Sequence, residues 1–90
     1  MKRIHLVISG DVVGVGYRAW AKRQAQDLRL TGWVKNREDR AVELVAEGEQ
    51  EAIKKFIAVC KKGPDVAWVK HVEVTWIHAG NEFMDFAVVY

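Results

Sequence analysis

Cysteine occurs once in these 90 residues, at Cys60, and proline once, at Pro64. A single cysteine excludes an internal disulfide framework and any metal site built on thiolates, and it agrees with a reducing compartment. Long apolar runs are also missing. None approaches membrane-spanning length, and the N-terminus lacks a signal-peptide pattern, so a soluble cytoplasmic protein with no membrane partner is expected. Neither sign of charge dominates: the net charge is +2, and basic residues are spread among acidic ones. That is too little to argue for a nucleic-acid partner by itself, and none is expected. His71 and His78 have no acidic or cysteine partner at ligand spacing, so no metal is expected. His5 reads as an ordinary strand residue with nothing beside it in sequence to pair with. No repeat, low-complexity segment or linker divides the chain, and residues 1–90 are read as one domain.

Half of the residues are hydrophobic and four are tryptophan, enough for a compact core without staples. The chain's most informative stretch is Gly10-Asp11-Val12-Val13-Gly14-Val15-Gly16-Tyr17-Arg18. It follows the apolar strand Ile4–Ile8 and enters a segment in which Tyr17, Trp20, Ala21, Ala25 and Leu28 recur on one helical face. Glycines between a strand and a helix let several backbone N–H groups turn inward, and the helix N-terminus adds partial positive charge. Arginine supplies a planar fork for an oxyanion. No Gly-Lys-Ser/Thr follows, so this is not a nucleotide P-loop, and the third glycine of a dinucleotide fingerprint is absent. Spacing alone leaves two readings open, a tight structural turn and a site for phosphate or another tetrahedral anion. Arg18 favours the second, because the helix dipole disfavours an arginine that merely faces solvent there.

The first helix is expected from Tyr17 to Leu30, with Trp20 and Tyr17 in the core. Gly32–Asn36 and Ala41–Glu47 read as strands joined by the short turn Arg37–Arg40, hence an antiparallel hairpin. Val42, Leu44 and Ala46 share one face and Glu43, Val45 and Glu47 the other, a half-buried alternation. Gly48 opens a second helix with Glu49 and Glu51 in its first turn and Lys61 and Lys62 in its last. Ile53, Phe56, Ile57 and Cys60 form its stripe, which makes Cys60 a buried thiol, and Gly63-Pro64 stops it. Val66 to Ile77 is a long strand whose even positions are apolar, interrupted by Lys70; Trp68 and Trp76 are expected on the core face. Phe83 to Tyr90 reads as a last edge strand. The order βαββαβ plus a short C-terminal strand predicts an α+β, ferredoxin-like sandwich, an antiparallel sheet with two helices packed on one face.

The glycine stretch resembles the phosphate-binding signature of the acylphosphatase family. Thr31-Gly32-Trp33-Val34-Lys35-Asn36, with Asp39 and then Val42-Glu43, resembles that family's other signature at the expected distance, and Glu47-Gly48 and Gly63-Pro64 also fit. The resemblance covers nearly the whole chain. It implies the ferredoxin-like fold and hydrolysis of small acyl phosphates to a carboxylate and inorganic phosphate, without metal or other cofactor. It further implies phosphate binding by the backbone of Val13, Gly14, Val15, Gly16, Tyr17 and Arg18 and by the Arg18 side chain. Asn36 would hold the attacking water; read without the resemblance, it is a polar residue at a strand end before a turn. Inorganic phosphate is expected as product and competitive inhibitor, and the protein as a monomer.

Two positions depart from the family pattern. Val13 stands where the family usually has glutamine, which raises a non-catalytic anion-binding module as the alternative. Arg40 stands where the hairpin turn usually has glycine, which implies strain if that position needs a positive φ. An RNA-binding module of the same fold is disfavoured, since Trp33, Trp68 and Trp76 fall in separate strands.

Overall fold

The computed structural model describes every residue from Met1 to Tyr90. The elements are β1 (Lys2–Asp11), α1 (Tyr17–Asp27), β2 (Thr31–Asn36), β3 (Val42–Gly48), α2 (Gln50–Lys62), β4 (Trp68–Ile77) and β5 (Phe86–Val89). They form one five-stranded sheet in the order β4-β1-β3-β2-β5. β1, β2, β3 and β4 pair antiparallel, as the βαββαβ order requires. β5 instead runs parallel to β2, so the sheet is mixed and not wholly antiparallel. The physical reason is the long connection from β4, which carries the chain to the opposite edge before it pairs.

Both helices cover one face. Ile4, Leu6 and Ile8 of β1, Val42, Leu44 and Ala46 of β3, and Val34 of β2 are buried there against Ala21 and Ala25 of α1 and Ile53, Phe56 and Cys60 of α2. Phe86 closes the β5 side, its ring edge-on to Phe56 with centroids 6.1 Å apart. The Cys60 thiol is fully buried, and burial pushes its pKa up to about 12, so it is an inert packing group.

Helix α1 ends three residues before the expected Leu30. Arg29 adopts φ 58°, and the bonds Arg29 N–H to Gln26 O (3.0 Å) and Leu30 N–H to Ala25 O (2.9 Å) complete a Schellman stop with arginine where glycine is usual. Helix α2 begins one residue beyond its N-cap Glu49, so Glu51 is the acid of its first turn and Gly48 belongs to β3. Gly63 ends it at φ 70°, as expected from Gly63-Pro64.

The Lys70 interruption in β4 is a β-bulge. Ser9 pairs with His71 but Gly10 with Val69, so one extra residue enters β4 and its side-chain parity reverses. Gly10 is required there, because a Cβ would lie 2.2 Å from Trp68 O. Val69 therefore packs on the core while Trp68 is 62% exposed. Trp76 keeps the core-face parity but lies at the strand's end and is 47% exposed. Neither tryptophan belongs to the core, which corrects the expectation from even spacing.

The other face of the sheet is less open than the alternation implied. Glu47 is 1% exposed and forms an ion pair with Arg3, Nε to Oε1 2.8 Å. The Gly80 N–H also donates to Glu47 Oε1, at 3.0 Å, and Phe83 stacks on the Arg3 guanidinium 4.6 Å from its centroid. The β4–β5 connection is thus strapped across the sheet by Arg3. Arg3 Nη2 lies 2.6 Å from Glu82 Oε1, at an angle that leaves it without a well-formed hydrogen bond. On the same face His5 Nε2 and Glu43 Oε2 pair at 2.6 Å across β1 and β3, a partner that sequence adjacency did not offer.

Candidate active site

The turn between β1 and α1 is built from glycine for a conformational reason. Gly14 and Gly16 have φ of 82° and 81°, in the region where a Cβ is strained, and an added Cβ at either would face open space. Gly16 is the N-cap of α1 and offers no side-chain cap. No backbone N–H from Val12 to Gly16 donates to a backbone carbonyl or a side chain. The first turn of α1 adds N–H groups that have no partner within a helix, and it contains no acidic residue. The loop therefore presents a concentration of free donors and partial positive charge.

The core holds this loop in place. Val12 and Tyr17 are 1% exposed, and Val13 and Val15 pack against the same cluster. The Tyr17 hydroxyl donates to Cys60 O at 2.7 Å, tying the start of α1 to the end of α2. Burial drives the Tyr17 pKa upward, so the phenol stays neutral. Tyr17 and Trp20 pack with centroids 5.2 Å apart, Tyr17 within the core and Trp20 half-buried against it.

A cleft of about 130 Å³ lies at this loop, lined by Gly14, Gly16, Tyr17, Arg18 and Asn36, with Val12, Ala19, Val88 and Tyr90. Of the residues expected at the site, these five meet there, whereas Val13 and Val15 send their side chains toward the core. Their backbone can still contribute donors. The family's glutamine position is thus occupied here by a side chain that does not line the cleft.

Arg18 has no carboxylate within ion-pair distance. Its guanidinium is stacked on the Tyr90 ring, Cζ 4.7 Å from the centroid. Such stacking orients the fork while leaving its N–H edge free. Asn36 reaches the cleft because β2 and α1 meet there: it shares the parity of Gly32 and Val34, whose side of the sheet the helices cover. Its Oδ1 is buried and accepts no hydrogen bond from the protein. An unpartnered buried amide oxygen costs about 1–3 kcal/mol, so it marks a place where a polar group belongs.

Residues 4–88, which include the glycine loop, Arg18 and Asn36, match a known protein family, acylphosphatase. The chain belongs to the acylphosphatase family. A relative from Methylococcus capsulatus described as an acylphosphatase is 47% identical over 89 residues, covering 99% of this chain and 97% of that one. The crystal structure of an acylphosphatase from Bacillus subtilis superimposes with a TM-score of 0.96 at 34% identity, covering all of both chains. An acylphosphatase structure from Coxiella burnetii gives 0.93 at 39% identity, over 98% of this chain and 92% of that one. Sequence reading did not point to Tyr90, Val88, Ala19 or Val12 as cleft residues. Tyr90 and Val88 arrive through the parallel pairing of β5 with β2, for which no local pattern exists.

Proposed function

We propose that this member of the family hydrolyses the carboxyl–phosphate bond of small acyl phosphates, with the loop and Arg18 binding the phosphoryl group and Asn36 orienting water. The observation that carries the reading is the buried, unpartnered Asn36 Oδ1 in the same small cleft as Arg18 and the free loop amides. Phosphoryl transfer passes through a loose, in-line transition state, so catalysis is chiefly positioning and charge stabilisation. The N–H groups of residues 13–18 and the Arg18 fork would receive the non-bridging oxygens. Asn36 Oδ1 would accept a hydrogen bond from the attacking water and aim its lone pair at phosphorus. An amide cannot take the proton, which passes to the substrate's own phosphate.

The leaving group is a carboxylate whose parent acid has a pKa of roughly 4, so it departs without a general acid. The reaction asks for no metal, nucleophile or histidine base. Inorganic phosphate, the product, would compete for the same donors. The protein would act as a cytoplasmic monomer on a small-molecule substrate.

Benzoyl phosphate turnover, measured with chelator present, tests the reading. Rapid turnover that Asn36→Ala abolishes, while inorganic phosphate still protects that variant against heat, is the expected result. Full activity in Asn36→Ala would remove Asn36 from the mechanism. No turnover by the unaltered protein would leave an anion-binding module.

A further inference from the structure

The cleft opens in two directions. Past Asn36 and Tyr90 it meets a surface on the β2–β3 hairpin where Lys35 and Arg37 are outnumbered by Glu38, Asp39 and Glu43. Arg37 Nη2 lies 3.1 Å from Asp39 Oδ2 and Lys35 Nζ 3.9 Å from Glu43 Oε1. On the other side it continues into a groove between α1 and β5 of about 530 Å³, which shares Ala19, Val88 and Tyr90 with the cleft but not Asn36. The α1 wall of that groove carries Lys22 and Arg23, neither with a carboxylate within ion-pair distance. Asp85 is the one acid that lines it.

Building on the acyl phosphate reading above, we propose that the α1–β5 groove holds the acyl group, and that Lys22 and Arg23 select acyl phosphates bearing a second carboxylate. In-line displacement sets the entering and leaving oxygens on opposite sides of phosphorus. Water held at Asn36 forms the new P–O bond, the P–O bond to the acyl group breaks, and its electron pair leaves on the carboxylate. The acyl group therefore lies on the side away from Asn36, toward the groove. Lys22 and Arg23 follow Arg18 by four and five residues, about 6 to 7.5 Å along the helix axis. That is the span of a short acyl chain beyond the phosphate. Lysine and arginine without partners at that distance match a carboxylate at the chain's far end.

The test compares kcat/KM for benzoyl phosphate and 4-carboxybenzoyl phosphate in the unaltered protein, in Lys22→Gln, in Arg23→Gln and in the double variant. The ratio of the second substrate to the first is expected to fall about threefold in each single variant and about tenfold in the double, mainly through KM. Lys54→Gln removes one positive charge from an exposed position on α2 and should keep the ratio of the unaltered protein. A ratio that stays within about twofold in the double variant, or that Lys54→Gln lowers equally, overturns the subsite alone. Absence of benzoyl phosphate turnover in the unaltered protein overturns both readings, so the two failures are distinct.

Discussion

Replacing Arg40 by glycine should stabilise the protein. Arg40 ends the β2–β3 turn at φ 67°, where its Cβ crowds the neighbouring carbonyl. For a residue with a Cβ this conformation costs roughly 1–2 kcal/mol. Glycine escapes that strain but loses roughly 0.5–1 kcal/mol more conformational freedom on folding. At mid-range the balance favours Arg40→Gly by roughly 0.75 kcal/mol, and by about 1.5 kcal/mol at most. Nothing in the side chain offsets the gain, because Arg40 is exposed and forms no ion pair. The turn's backbone bonds, Arg37 N–H to Ala41 O at 2.8 Å and Arg40 N–H to Arg37 O at 3.2 Å, remain available to glycine. In a domain of this size the gain raises Tm by about 2–6 °C. The assay is urea unfolding with an unchanged m, beside a thermal scan. Arg40→Ala is the discriminating control: it removes the charge but keeps a Cβ in the same conformation, so it should gain nothing. Equal stabilisation by alanine, or none by glycine, would refute the strain argument.

Other substitutions probe the site and the core. Arg18→Ala should weaken inorganic phosphate binding by at least about tenfold, read as loss of phosphate protection in a thermal scan; unchanged protection removes Arg18 from anion binding. Glu47→Ala leaves Arg3 Nε and the Gly80 N–H without their acceptor, although Glu82 stays beside Arg3, and should destabilise by about 1–3 kcal/mol in urea, whereas the pair Arg3→Met with Glu47→Leu should recover most of it. Equal loss in both variants would show that packing, not charge, holds the β4–β5 connection. Because burial raises the Cys60 thiol to about 12, the folded state keeps its proton where the unfolded chain loses it. Stability is then full below pH 9 and falls as pH rises toward 12, by at most about 1.4 kcal/mol per pH unit. Tyr17, also shifted upward, adds to this fall above its ordinary value of 10.0, so Cys60→Ala should flatten the profile between pH 9 and 10.

Several features were legible because they are local. Helix α2 could be read from its stripe Ile53, Phe56, Ile57 and Cys60, fully buried except for the half-buried Ile57, and from the glycine stop at Gly63. The β2–β3 hairpin followed from its short turn. The glycine loop stood out by residue type and order, Asn36 only through the family resemblance, and the fold brings Arg18 and Asn36 to one cleft. Other features left no local trace. The stop of α1 at Arg29 lacks the glycine that usually announces it. The bulge at Lys70 showed only as an interrupted alternation, and its consequence, Trp68 facing outward, depended on where Gly10 pairs.

The sequence by itself determined the element order, the apolar faces of β1, β3 and α2, and the loop that can adopt positive φ at Gly14 and Gly16. These follow from side-chain periodicity and backbone sterics within a few residues. Only the tertiary structure decided that Arg3 meets Glu47, 44 residues away, and that His5 meets Glu43, 38 residues away. It also decided that β5 runs parallel to β2, which stacks Tyr90 on Arg18 and opens the groove beside Lys22 and Arg23. Those contacts depend on strand register and chain path, which arise from burying the whole core at once, and no short stretch of sequence encodes them.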